Sequence, residues 1–174
     1  MIEDHEEIPE ERTTDGHPGA HPLLATVLAG LCVLALVGGL VLYVWLQDRT
    51  EVVEAAERFT EVWNTFRPSD VETYVERVSP LLSSKFRTEF ENAAEDVVAG
   101  ITQQRLLSKG LVLEDGDGVP LIGVASMDND SAEVLVVADA RRVANRQRVL
   151  RHWRWQVSLV KVDGEWLVDS FEEV

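Results

Sequence analysis

The chain has 174 residues, 45% of them hydrophobic, and a formal net charge of −15. Its 31 acidic side chains against 16 basic ones disfavour nucleic acid as the main partner, because such binding depends on Lys and Arg replacing the counterions of phosphates. The single cysteine, Cys32, excludes an intrachain disulfide and a metal cluster built from cysteines.

Residues 1–22 form an acidic tail, in which seven acidic residues accompany one basic residue, Arg12. A segment of this composition cannot bury a hydrophobic core, so we expect it to be disordered. His17 and His21 have the spacing of two metal ligands on one helical turn. Because Pro18 and Pro22 disfavour a helix there, we predict no metal site in the tail.

Residues 23–46 contain no charged residue and no histidine. At about 1.5 Å per residue, a helix of this length spans roughly 36 Å, which exceeds a hydrocarbon core of about 30 Å. Tyr43 and Trp45 lie at its end, where amphipathic rings favour the head-group layer. A cleaved signal peptide fits less well, since the apolar run is long and the tail before it is acidic. We therefore predict a retained single-pass membrane anchor.

The charges flanking the anchor indicate its orientation only weakly. Arg12 precedes it, whereas Arg49 and Arg58 follow it closely. This excess of one arginine would place the following domain in the cytoplasm, but long domains cross membranes largely regardless of charge. The charge rule therefore barely distinguishes the two orientations.

Residues 47–174 are long enough for one small domain with its own core. Apolar residues at helical spacing predict three helices in its first half, at about 52–66, 70–78 and 81–107. Ser69 and Glu72 have the spacing of a capping box at the start of the second helix. Gly110 is predicted to end this helical half.

The second half changes to the alternating pattern of strands, predicted at about 119–126, 132–140, 149–162 and 166–171. Asp163 and Gly164 form a strong two-residue hairpin signal, because both positions favour a positive φ. A change in the apolar phase predicts a bulge near Leu159. The sequence thus predicts an α+β fold, with three helices packed on a curved antiparallel sheet of about four strands.

Two segments, 130–136 and 154–169, resemble the actinobacterial Mce-associated membrane proteins when they follow a single transmembrane helix. Those are accessory proteins of mammalian-cell-entry (Mce) lipid importers. The resemblance covers about residues 23–174 in architecture, and its motif is Val-Asp-Gly-Glu-Trp-Leu-Val, ending at Val168. It implies a cone-shaped domain of the nuclear transport factor two-like (NTF2-like) fold outside the cytoplasmic membrane, a cytoplasmic tail, and protein partners in a transporter.

Enzymes of the cone fold carry a carboxylate or histidine base and a tyrosine donor in a pocket between sheet and helices. The candidates here are Tyr74, Asp139, His152 and Asp169. We expect Tyr74 to be a core ring and His152 to point outward. Asp139 has a strand parity that could aim it inward, although an aspartate in a turn at a strand end is the simpler interpretation, and Asp169 is most simply a carboxylate on the sheet or at a hairpin end.

Signatures of a nucleophile elbow, a phosphate loop and a dinucleotide site are absent from the sequence. We therefore predict a non-enzymatic protein without a cofactor, and an isomerase or dehydratase-like enzyme is the weaker alternative. A second alternative is a module that binds a lipid or another apolar ligand in the cone pocket. The rings predicted to line that pocket are those of Trp63, Phe66, Tyr74, Phe86, Phe90 and Trp155.

An arginine run accounts for six of the fifteen basic residues that follow the tail. Its members are Arg141, Arg142, Arg146, Arg148, Arg151 and Arg154. Trp153 and Trp155 accompany it, as in nucleic-acid patches, but their strand spacing assigns them to the core. A solvated hairpin is one interpretation of the run. The other is a surface that binds an acidic protein partner or lipid head groups, and we name the first five arginines as the partner-binding residues. We expect Arg142, Arg146 and Arg148 to lie in a polar connection between strands.

Overall fold

The computed structural model describes residues 22–144 and 146–174. The tail therefore lies outside the described residues, and so do the predictions about its disorder and about His17 and His21. The chain divides between Leu42 and Tyr43 into two compact units.

The first unit contains the beginning of helix α1, which spans Pro22–Asn64. Within the described residues, α1 is the one helix long and apolar enough to cross a membrane. Large apolar side chains along it are exposed, for example Leu34 at 70% and Leu36 at 74%. Such a surface is costly in water and suits a hydrocarbon environment.

The second unit, Tyr43–Val174, contains the rest of α1 and eight further elements. The helices are α2 (Val71–Val78) and α3 (Ser84–Gln103), with a short 3₁₀ turn at Ser79–Leu81. The strands are β1 (Leu107–Val112), β2 (Ile122–Met127), β3 (Ser131–Ala144), β4 (Gln147–Val162) and β5 (Glu165–Glu173).

All strand pairs are antiparallel, in the order β1-β3-β4-β5, and β2 also pairs with β3. The strand β2 pairs with the first half of β3, from Ala132 to Val136, and β1 pairs with the second half, from Ala138 to Val143. The predicted α+β fold is confirmed. Its sheet has five strands, one more than the sequence analysis predicted.

The core lies between the helices and one face of the sheet. Every second residue of β3 from Ala132 to Ala140 is buried on this inner face, as the alternation of a half-buried strand requires. Val52, Ala56 and Phe59 of α1 are fully buried against it. The apolar stripe of α1 therefore packs on the apolar inner face of β3.

The additional strand is β1, which the sequence analysis assigned in part to a long third helix. In the structure α3 ends at Gln103, Arg105 adopts a positive φ of 47°, and Leu107 begins β1. Gly110 lies inside this strand instead of ending a helix. A Cβ atom at Gly110 would lie only 2.4 Å from the Cβ of Asn64, so a glycine lets β1 approach the end of α1.

Two local predictions are also corrected. The N-cap of α2 is Asp70, and its side chain makes no capping hydrogen bond, so the predicted box of Ser69 and Glu72 is not formed. The irregularity near Leu159 is present, but the extra residue is Asp169 in β5. Because β4 pairs with β3 without interruption to Val160, the strand β4 keeps its alternation.

Candidate functional site

The six rings predicted to line a pocket lie together in the core. Trp63 lies 5.4 Å from Phe90 and 6.2 Å from Phe86 between ring centroids, and Phe66 and Tyr74 are 5.5 Å apart. Phe59 and Phe171 complete the group, and Phe171 lies 4.9 Å from Trp155. The rings therefore pack on one another, and a ligand-binding role for them stays a prediction.

Tyr74 is 3% exposed, and its hydroxyl donates a hydrogen bond of 2.9 Å to the carbonyl oxygen of Trp63. Burial raises the pKa of Tyr74 above its ordinary value, because the phenolate would lose its hydration. Tyr74 is therefore a neutral core ring, as predicted, and its hydroxyl proton lies in a hydrogen bond to the backbone.

The other candidates for proton transfer lie elsewhere. Asp139 lies within β3 on the outer face of the sheet, neither directed into the core nor placed in a turn at a strand end. Its Oδ1 is 2.7 Å from Nδ1 of His152, which points outward as predicted. Asp169 accepts a hydrogen bond of 2.6 Å from Ser83, whose hydroxyl in turn caps the first turn of α3. The four polar candidates thus do not converge on one site.

The arginine run forms the distal half of the β3–β4 hairpin. The residues Arg141 and Arg142 belong to β3 and Arg148, Arg151 and Arg154 to β4; Arg146, with a φ of 69°, lies between the strands. The prediction of a polar connection is therefore wrong, since the strands continue to Ala144 and Gln147. They continue because Ser108 and Leu107 of β1 pair with Arg142 and Val143.

The alternation of the two strands divides the arginines between the faces of the sheet. Arg141, Arg148 and Arg154 follow the parity of the outer face, and Arg142 and Arg151 follow that of the inner face. The positive charge therefore surrounds the hairpin instead of forming one flat patch.

Arg142 differs from the other arginines because it is partly buried. Its guanidinium lies 5.1 Å from the centroid of the Trp153 ring. Burial lowers the pKa of Arg142, and the neighbouring charge of Arg151 lowers it further. A guanidinium packed on an indole in this way stabilises the hairpin itself, so Arg142 has a structural role beside any role in binding.

Beside the arginines, the outer face carries a cavity of about 170 Å³ that is lined by both apolar and charged side chains. Its lining residues are Lys109, Leu111, Leu113, Asp139, Arg141 and Leu150. Leu111 and Leu150 are each 49% exposed. This cavity was not predictable from the sequence, because half of its lining comes from β1 and the residue just after it, where no strand was predicted.

The edge of β4 is the second feature that the sequence analysis missed. The strand β5 pairs with β4 only from Trp155 to Val162, and the N–H of Val174 donates to the carbonyl oxygen of Arg154. Residues 147–152 of β4 are all exposed. In the described part of the chain, their sole strand partner is β3.

No family model matches the sequence, and no curated protein matches it at a significant level. Solved structures do match, and three of them cover 71–73% of the chain. An IcmL-like type IV secretion system protein from Legionella pneumophila is 10% identical, covers 73% of this chain and 92% of that chain, and gives a TM-score of 0.59. The periplasmic domain of DotI is 11% identical and gives a TM-score of 0.56, and the match covers 71% of this chain and 92% of that chain.

A third structure is CagV, a VirB8 homolog of a type IV secretion system from Helicobacter pylori. It is 9% identical, covers 72% of this chain and 97% of that chain, and gives a TM-score of 0.50. At these identities the likeness shows the fold, which is the predicted NTF2-like α+β fold. The three neighbours do not support the Mce-associated assignment.

Proposed function

We propose that the chain is a non-enzymatic accessory or assembly protein of a cell-envelope complex. A single transmembrane helix at residues 23–46 holds it in the cytoplasmic membrane, with the tail in the cytoplasm and residues 47–174 outside. The observation that carries the proposal is the arginine-rich hairpin tip. No acidic residue occurs between Ala140 and Val162, although the chain as a whole has a net charge of −15.

A concentrated positive field of this kind attracts an acidic protein surface and fixes its orientation. Tyr74 and Asp169 make hydrogen bonds elsewhere and do not join the Asp139–His152 pair. This separation supports the non-enzymatic part of the proposal, because general acid–base chemistry needs its groups within hydrogen-bond reach of one substrate. The packing of the rings on one another gives more support to a structural role than to the alternative of a lipid-binding pocket.

The kind of complex is the finer part of the proposal. The sequence resemblance favours an Mce-type lipid importer. The names of the structural neighbours favour a secretion apparatus, since the IcmL-like protein and CagV are both named as belonging to type IV secretion systems. In both cases the domain works through protein contacts in the envelope, and the proteins that co-purify would distinguish the two.

The test is a crosslinking pull-down of the full chain from native membranes. We expect Arg148→Glu combined with Arg151→Glu to remove the crosslinked partners, because both side chains are exposed and leave the packing of Arg142 intact. Lys85→Glu, an exposed charge reversal on α3, is the matched control. Full retention of the partners by the double variant would contradict the proposal.

A second set of variants tests the non-enzymatic part of the proposal. Asp139→Asn and His152→Ala remove the hydrogen-bonded pair on the outer face while leaving the core unchanged. We expect these variants to retain partner binding and transport or secretion in the cell. A complete loss of function in a folded, partner-bound Asp139→Asn variant would instead indicate proton transfer.

A further inference from the structure

Among the described residues, residues 147–153 of β4 have β3 as their one strand partner, and we call their other side the free edge of β4. This edge offers a row of backbone groups. The carbonyl of Arg154 points toward β5, since it accepts the N–H of Val174. The backbone groups of alternate residues point to the same side of an antiparallel strand. The N–H and C=O groups of Arg148, Leu150 and His152 therefore point away from β3, toward a side on which β5 does not reach them.

The side chains along this edge are cationic and apolar. The outer face presents Arg148, Leu150 and His152, and the inner face presents Val149 and Arg151. All five are exposed, with Val149 at 46% and Leu150 at 49%. An edge of this composition matches an extended segment that carries carboxylates and apolar residues.

A second copy of this chain is a poor occupant of the edge. Pairing β4 with β4 of another copy would bring the arginines of both edges together, and like charges across a strand pair are destabilising. The next part of the same edge of β4 is paired with acidic residues, because Trp155 and Gln156 pair with Glu173 and Glu172 of β5. The chain itself thus places an acidic strand end beside this cationic strand.

We propose that an acidic extended segment of a partner protein adds to the sheet at the free edge of β4, residues 147–153. The proposal rests on the proposed function and specifies how the arginine hairpin holds its partner. The backbone N–H and C=O groups of Arg148, Leu150 and His152 make the hydrogen bonds to the added strand. The positive charges of Arg148 and Arg151 favour a strand that carries carboxylates.

The register of such a pairing fixes the pattern that the edge accepts. A residue opposite Arg148 lies on the outer face and one opposite Arg151 lies on the inner face, so each is served best by a carboxylate. The two residues between them lie beside Val149 and Leu150 and are served best by apolar side chains. The accepted core is therefore acidic-apolar-apolar-acidic, which is the same pattern in both strand directions.

The test uses the full chain in detergent micelles and a fluorescent peptide containing Thr-Glu-Val-Val-Glu-Thr. We expect saturable binding that is lost when the glutamates of the peptide are replaced by lysines. We also expect amide hydrogen exchange to slow at Arg148, Leu150 and His152, because these N–H groups become hydrogen-bonded in the added strand.

A matched pair of substitutions separates the backbone from the side chain. Leu150→Pro removes an N–H that points away from β3, which a strand edge tolerates, and Leu150→Ala removes the side chain but keeps the N–H. We expect the proline variant to bind the peptide about tenfold more weakly than the alanine variant. Tryptophan fluorescence checks the fold of both, and the exchange experiment on the unsubstituted chain needs no variant.

Four outcomes would overturn strand addition. The first is absence of peptide binding, and the second is binding without slowed exchange at the alternate amides, which would indicate attraction by charge alone. The third is the same slowed exchange caused by phosphatidylglycerol vesicles without peptide, and the fourth is slowed exchange that depends on protein concentration through self-association. None of these outcomes depends on the crosslinked partners, so failure of strand addition is distinguished from failure of the proposed function, which the pull-down tests.

Discussion

Gly110→Ala is the substitution for which the structure makes the sharpest prediction, because it adds a single methyl group where α1 ends against β1. The new Cβ would lie 2.4 Å from the Cβ of Asn64, 3.3 Å from its Cα and 3.4 Å from its carbonyl carbon. Two of these three atoms are backbone, and Asn64 is 1% exposed, so the contact cannot be relieved by turning a flexible side chain.

The cost follows from the movement that the methyl group requires. Ordinary contacts between such atoms begin near 3.4 Å, so strand and helix must separate by about 1 Å, and overpacking of this kind costs about 1–3 kcal/mol. The movement also strains the hydrogen bond from the N–H of Gly110 to Oγ1 of Thr65, of 3.1 Å, which is worth about 0.5–1.5 kcal/mol. Alanine gives the unfolded chain less conformational entropy than glycine does, and this difference offsets about 0.4–1 kcal/mol of the loss in stability. Mid-range values of these three contributions give a net loss of about 2–3 kcal/mol.

Thermal unfolding of the full chain in detergent, followed by tryptophan fluorescence, measures this loss. For a unit of this size we expect the Tm to fall by roughly 6–15 °C. Gly123→Ala is the control, since Gly123 lies in β2 with no heavy atom within 4 Å of the added Cβ. The control should melt at or slightly above the Tm of the unsubstituted chain. If both variants melt together within about 2 °C, the close approach of β1 to α1 is refuted.

Three further predictions follow from other parts of the structure. Trp166→Ala removes a core ring that is 7% exposed and should cost about 3–5 kcal/mol, whereas a loss below about 1 kcal/mol in urea melts would indicate an exposed ring. Because the folded state raises the pKa of Tyr74, its contribution to stability is present below the pKa of an unfolded tyrosine, about 10, and is lost as the pH rises above it. Tyr74→Phe should therefore flatten the alkaline decline of the Tm. A cysteine at Asn129, in a Cys32→Ser background, should react with an impermeant maleimide in intact cells, and reaction only after lysis would reverse the proposed topology.

The elements that the sequence predicted correctly are those with strong local signals. The stripe from Val52 to Phe59 needs no distant partner to indicate a helix. The hairpin at Asp163 and Gly164 likewise follows from the two residues themselves, and the structure gives them φ values of 52° and 89°. Trp166 is buried beside that turn because the strand alternation continues from it.

The parts that the sequence did not predict depend on contacts between distant segments. The strand β1 contains a glycine and a lysine within six residues, and its extended form depends on pairing with β3. The same pairing extends β3 beyond Ala140, where polar residues on both faces leave no alternation to detect. The division of the arginines between two faces is therefore set by register, which no local pattern of charges reveals.

The lengths of the strands explain why the arginines and the free edge occur together. The strand β4 has 16 residues and β5 has 9, so a sheet that is closed by β5 near the core must leave the distal part of β4 uncovered. An uncovered edge with apolar residues such as Val149 and Leu150 invites aggregation unless it carries charge. Arg148 and Arg151 repel other copies of the same edge, and by the same electrostatic field they favour an acidic strand. Protection from self-association and selection of a partner are thus two consequences of the same two side chains, and neutralising both charges should weaken both together.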